Sequence, residues 1–135
     1  MYAVAYNGHA DALQLLLQAK ADPDKASDND GTTPMFMAAQ EGHADALQLL
    51  LDAKADCSLC MHCNGWSPLF VASGAGNAEV VRRLLERAPS LRTLATTAAH
   101  DFWGCTIASG AVPVDVARQL HREDVLQLLQ DAATP

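Results

Sequence analysis

The chain has 135 residues, half of them hydrophobic, 19% charged and 5% aromatic, which suits one domain with a packed interior and excludes a disordered tail. Nine Lys and Arg against 16 Asp and Glu give a net charge of −7, so no bulk basic face exists to neutralise phosphates and nucleic acid is not an expected partner. No apolar run reaches the roughly 18–20 residues of a bilayer span, and the start MYAVAYNGHADALQ has no basic stretch before an apolar one, so neither membrane insertion nor secretion is expected.

The chain repeats itself. Residues 7–22, NGHADALQLLLQAKAD, return at 41–56 as EGHADALQLLLDAKAD, changed only at Asn7/Glu41 and Gln18/Asp52. The 34-residue shift also carries Gly31 and Pro34 onto Gly65 and Pro68, and Gly42 onto Gly76. A more divergent copy starts at Gly110 with GAVPVDVARQLHREDVLQLL. The expected units are 1–30, truncated because Met1 aligns with Met35, then 31–64, 65–109 with an insertion, and 110–135 as a C-terminal cap.

Each unit reads as two short helices and a loop. Thr33-Pro34 opens the first helix, because a Thr hydroxyl satisfies a free N–H and Pro loses nothing at the first helical position. Small Ala38 and Ala39 allow close approach of neighbouring backbones, and Gly42 ends the helix in the left-handed conformation. In the second helix Leu47, Leu50 and Leu51 share one face, and Asp45 sits in the first turn where the helix dipole favours a carboxylate. Helices of about 8 and 10 residues are below the length at which a lone helix survives in water, so each pair must be held by the next. Lys54-Ala55-Asp56 opens a polar loop that runs to Gly65.

These residues resemble the ankyrin repeat family. Its pattern is matched by Gly31, Thr33, Pro34, Ala38, Ala39, Gly42, His43, Leu49, Leu50, Leu51, Ala55 and Asp56, and the match in register covers nearly the whole chain. The resemblance implies an all-α solenoid of stacked helix-turn-helix units with projecting loops. Three departures stand out. The family's histidine after Pro is Phe36, Phe70 and Asp115; the period is 34 rather than 33; and His121 stands where Gly42 and Gly76 stand, so it must turn left-handed with a side chain or end its helix differently.

Gly65 to Gly110 spans 45 positions, 11 beyond the period, so the third loop carries an insertion within about 88–109. After the break at Pro89-Ser90, LRTLATTAA reads as a short extra helix and HDFWGCTIASG as turns. Such insertions fall on one face, often the binding one, although long loops are also tolerated without a role. The first unit lacks its Thr-Pro start, so its apolar face has no N-terminal neighbour, and a longer array or a covering segment is expected. Arg118, Arg122, Glu123 and Asp124 make the last unit polar, as a cap requires.

Four cysteines, three within seven residues, do not read as a secreted disulfide framework, and an intracellular location, cytoplasmic with the nucleus left open, is expected. Cys57, Cys60 and Cys63, with His62 or Cys105, offer thiolate and imidazole ligands for a tetrahedral metal, or a redox pair, although the spacing matches no zinc ribbon and the matching first loop, PDKASDND, has no such ligands. Free thiols in a loop are the simplest reading, and no cofactor is expected. His9 and His43 belong to the repeated Gly-His pair and read as structural. Gly74-Ala75-Gly76 falls at a helix end rather than between a strand and a helix, and Asp28-Asn29-Asp30-Gly31 lacks the spacing and terminal Glu of a calcium loop, so it reads as a solvated turn. No nucleophile elbow, P-loop or His-Glu-x-x-His motif occurs, and the chain reads as non-catalytic.

The family resemblance implies contacts through loop tips and the exposed end of each first helix. Carried onto this chain, these are Tyr6 and Asn7 in the first unit, and Asn29, Asp30, Thr32, Gln40 and Glu41 in the second. Cys63, Asn64 and Trp66 follow in the third, then Ser109, Ala111, Gln119 and Leu120 in the fourth. Trp66 is the expected exposed anchor, with a ring lying flat on the neighbouring loop as the alternative; Phe102 and Trp103 extend the patch or fold the insertion onto the stack. Asp30, Glu41 and the −7 charge point to a basic or mixed-charge protein partner of a monomeric scaffold. Two other readings remain: a metal- or redox-responsive cysteine loop, and a targeting appendage of an enzyme encoded in the same gene product.

Overall fold

In a computed structural model, which describes residues 1–102 and 104–133, the repeat becomes a stack of four helix pairs. The pairs are α1 (Tyr2–Tyr6) with α2 (Ala10–Gln18), α3 (Pro34–Glu41) with α4 (Ala44–Asp52), α5 (Pro68–Ala75) with α6 (Ala78–Arg87), and α7 (Pro113–Gln119) with α8 (Glu123–Asp131). First helices pack on first helices, in the order α1, α3, α5, α7, and second helices on second helices, in the order α2, α4, α6, α8. The all-α solenoid expected from the sequence is what forms, with one small β-hairpin added.

The inner helices begin as their sequence dictates. Thr33 Oγ1 accepts from the Phe36 amide at 3.1 Å, and Ser67 Oγ accepts from the Phe70 amide at 3.1 Å, with Pro34 and Pro68 at the first helical turn. Val112 brings no hydroxyl to the fourth unit, and there Asp115 Oδ2 accepts from the Val112 amide at 3.0 Å instead. The core threads through every unit: Leu13, Met35, Leu47, Leu50, Leu69, Leu84 and Val116 are fully buried, each worth about 1.5–3 kcal/mol relative to an exposed side chain.

Successive units are joined at one recurring place. Gly8, Gly42 and Gly76 hold φ of 66°, 77° and 82°, and His121 holds 54° with a side chain attached. The residue after each glycine starts the second helix, and from the second unit on its side chain reaches back one unit. His43 Nε2 donates to the Tyr6 carbonyl at 2.9 Å; Asn77 Nδ2 donates to the Ala39 and Gln40 carbonyls, both at 2.9 Å; Arg122 Nε donates to the Gly74 carbonyl at 3.0 Å. These acceptors lie in the last turn or at the end of α1, α3 and α5, where helical carbonyls lack intrahelical partners. The reaching side chain lies directly over the previous unit's glycine: a Cβ on Gly8 would sit 2.5 Å from the His43 ring, and one on Gly42 would sit 2.8 Å from Asn77 Oδ1.

The loops stack as well. The first two fingers close alike, with the Ser27 amide donating to the Thr32 carbonyl at 2.9 Å and the Met61 amide to the Trp66 carbonyl at 3.0 Å. The Thr96 amide donates to the Ala111 carbonyl at 2.9 Å, so the third finger has the same stem. Its tip is the insertion: strand β1 (His100–Phe102) pairs antiparallel with β2 (Cys105–Ile107), and Gly104 turns at φ 78°. The expected extra helix is only a 3-10 turn, Pro89–Thr93, and the expected turns are this hairpin. The helix stops early because Thr96 is taken into the stem, where its Oγ1 donates to the Ala108 carbonyl at 2.9 Å and accepts from the Ala111 amide at 3.1 Å. Along 105–107 the burial alternates down to a fully buried Ile107, a period of two that a search for helical spacing passes over.

Two substitutions test this account. Gly42→Ala forces an L-residue to φ 77° and a Cβ into Asn77, and we expect a loss of at least about 2 kcal/mol in urea unfolding. Lys54 holds φ 63° after α4, so Lys54→Gly removes left-handed strain and is expected to stabilise by roughly 0.5–1 kcal/mol in the same assay.

Candidate functional site

The inner helices and the finger tips together form one face of the stack, and the sequence-chosen residues divide on it by exposure. Tyr6, Asn7, Asn29, Glu41, Cys63, Ser109 and Gln119 are exposed, while Asp30, Gln40, Ala111 and Leu120 are half-buried. Gln40 Nε2 donates to Glu41 Oε1 at 3.2 Å, and Asn7 Nδ2 donates to the Ala3 carbonyl at 2.7 Å.

Thr32, Asn64 and Trp66 are corrections, being buried at 3%, 2% and 1% exposure. Asp30 and Asn64 hold the same position in successive fingers and make the same turn: Asp30 Oδ1 accepts from the Thr32 amide at 3.0 Å, and Asn64 Oδ1 from the Trp66 amide at 3.0 Å. Thr32 and Trp66 therefore occupy the finger stem rather than its tip. The Trp66 ring lies 5.5 Å from the Phe70 ring, and His100 of the inserted hairpin meets it edge-on at 5.9 Å. Trp66 is thus a packing residue between the second finger and the insertion, not an exposed anchor. The expectations for Trp103 and for the side chain of Phe102 lie outside the described residues.

Several residues that the sequence reading missed line a pocket of ≈ 260 Å³ on this face, among them Tyr2, Met37, Met61, His100 and Asp101. Tyr2 was traceable, because it stands 34 positions before Phe36 and 68 before Phe70. Those two rings are 3% and 1% exposed, whereas Tyr2 is 44% exposed. His100 and Asp101 reach the pocket only because the insertion folds back as a hairpin, which repeat alignment does not predict.

Electrostatics set the two faces apart. On the inner side the Asp30 carboxyl is held below its ordinary value chiefly by hydrogen bonds from the Thr32 side chain and backbone. On the outer side Arg82 and Arg83 bond Glu79 and pull its carboxyl down to about 2, and Arg83 Nη1 also donates to the Ala44 carbonyl of the preceding unit at 2.7 Å. Glu79, Arg82, Arg83 and Glu86 are thus paired within the chain.

The cysteines do not form a centre. Among the described residues no three His, Cys, Asp or Glu side chains come together as a metal site, so Cys57, Cys60, His62, Cys63 and Cys105 do not converge. His62 serves stacking instead: its amide donates to the Asp30 carbonyl at 2.9 Å and its ring covers Gly31, where a Cβ would approach to 2.5 Å. Burial pushes the Cys57 and Cys60 thiols up, with the Asp56 charge adding to both, whereas a reactive thiol requires a lowered value.

A model of ankyrin repeats, three copies, matches residues 1–95. The chain belongs to the ankyrin repeat family. Ankyrin repeats are generally protein–protein interaction modules and are typically non-catalytic. The helix pair α7 and α8 continues the ankyrin stack beyond residue 95, packing on α5 and α6. No curated protein matches the chain significantly. Among the described residues no helix is long and apolar enough to cross a membrane.

Exposure and thiol chemistry together give an order of reactivity. With iodoacetamide at pH 7.5, peptide mass spectrometry is expected to find exposed Cys63 alkylated first, with Cys57 and Cys60 several-fold slower because raised thiol values leave less thiolate.

Proposed function

We propose that residues 1–135 act as one non-catalytic ankyrin module that binds a partner protein along its concave face. The observation that carries this reading is the repeated presentation of side chains at finger tips and inner-helix ends, with Tyr6, Gln40, Glu41, Asn29 and Gln119 all exposed or half-exposed on one side of the stack. Most of the cohesion between units comes from the buried leucines and from His43, Asn77 and Arg122, with Gln119 adding one bond from its Nε2 to the Thr106 carbonyl at 3.2 Å. The net charge of −7, with Asp30 and Glu41 on this face, favours a basic or mixed-charge partner and association that slows as salt rises. The expected setting is a monomeric scaffold in the cytoplasm. The cysteine loop is not part of this function in our reading, because among the described residues no metal-holding group forms there and burial pushes the Cys57 and Cys60 thiols up.

Glu41→Lys on the inner face and Asp52→Lys on the outer face are a matched pair of charge reversals at exposed positions. In quantitative affinity capture, we expect Glu41→Lys to lower recovery of the specific partner by at least about tenfold, equivalent to roughly 1.4 kcal/mol, and Asp52→Lys to leave it unchanged. Equal effects from both would remove the concave-face assignment.

A further inference from the structure

The pocket on the concave face is bounded by three units and by the inserted hairpin. Its nearly buried inner lining includes Phe36 and Trp66, with Met37 and Met61 beside them, while exposed Tyr2 and His100 belong to its rim. At ≈ 260 Å³ it is smaller than the roughly 300–1,000 Å³ of small-molecule clefts; it has room for a single side chain. Two carboxylates, Asp30 and Asp101, line it, and among the described residues no Lys or Arg does. The groove on the outer face is built differently: there Lys54, Arg83 and Arg87 accompany Asp52 and Glu86, so cations outnumber carboxylates by one. The carboxylates of the inner pocket are also held in place, Asp30 by the Thr32 amide and Asp101 by the Thr106 hydroxyl at 2.6 Å.

We propose that this pocket takes the side chain of an arginine presented by a partner protein segment. The proposal rests on the concave-face reading and adds the chemistry of its ligand. The three-carbon stem of arginine suits the apolar wall of Met37 and Met61. Its planar guanidinium stacks on aromatic rings such as Tyr2 and forks to carboxylates, as a lysine ammonium does not. The inserted hairpin completes the site by supplying Asp101 and His100, so the insertion has a role in recognition.

The test uses the full chain with ¹³C-labelled methionine methyls and three probes, acetyl-Gly-Arg-Gly-amide and its lysine and norleucine counterparts. The chain has four methionines; Met37 and Met61 line the pocket, and fully buried Met35 is an internal reference. The arginine probe is expected to move Met37 and Met61 saturably, with a dissociation constant in the millimolar range, while Met35 stays still. Lysine is expected to bind at least about threefold more weakly and norleucine not at all. Asp30→Asn and Asp101→Asn combined are expected to weaken the arginine probe at least about fivefold, close to 1 kcal/mol. The fold tolerates Asp30→Asn, since Asn64 makes the same turn in the next finger. An absent or unsaturable shift, an equal response to lysine or norleucine, or indifference to the double substitution would overturn the proposal. Partner capture then separates the two levels. If capture survives the double Asp substitution but fails with Glu41→Lys, the pocket proposal falls and the concave-face reading stands; if it survives both, the concave-face reading falls too.

Discussion

The structure depends on one contact made three times: a polar side chain at the start of a second helix reaches over a glycine of the previous unit and donates to carbonyls near the end of its first helix. His43, Asn77 and Arg122 do this with three different chemistries. The contact serves two needs at once. It satisfies carbonyls that a helix end leaves without partners, and it sets the distance between units by seating a side chain where the glycine has none. Gly8 and Gly42 are therefore required twice, for their positive φ and for the space above them. Short helices that would not persist alone are held in a stack because each unit from the second on gives this bond to the one before it, and the two middle units both give and receive it.

The same logic runs through the fingers. His62 and Thr97 cover Gly31 and Gly65, and their amides donate to the Asp30 and Asn64 carbonyls at 2.9 and 2.8 Å. Helix ends and loops thus carry parallel ladders along the array. Salt bridges among Glu79, Arg82, Arg83 and Glu86 occupy the outer surface, whereas Tyr6, Asn29 and Glu41 are exposed, and this contrast is what favours the inner surface in the reading proposed above.

Most of the fold could be read from the residues, because repetition is visible without knowing any conformation. The 34-residue shift locates the first three helix pairs and the divergent copy at Gly110 the fourth, Thr33-Pro34 and Gly42 mark the ends of an inner helix, and His121, standing where Gly42 and Gly76 stand, does turn left-handed with φ of 54°. Less of the site could be read. The residues leave Trp66 open between an exposed anchor and a ring lying on the neighbouring loop, because burial depends on what packs above it, and that is the inserted hairpin. The hairpin has no counterpart in the other units, so alignment within the chain could not describe it. Thr32 and Trp66 belong to the stem and Asn64 is buried as the acceptor that turns the chain into it; a shift of one or two residues separates stem from exposed tip, and periodicity does not resolve it.

The closed stem beneath that hairpin has a consequence for how such a chain can diversify. Thr96 and Ala111 meet as Ser27 and Thr32 do, although 14 residues rather than four lie between them. The helices on either side thus keep their register across tips of both lengths. The added length is taken up by a hairpin that stays tied to the stack through buried Ile107 and the Ala108 carbonyl, so a finger can grow without disturbing the spine it rises from.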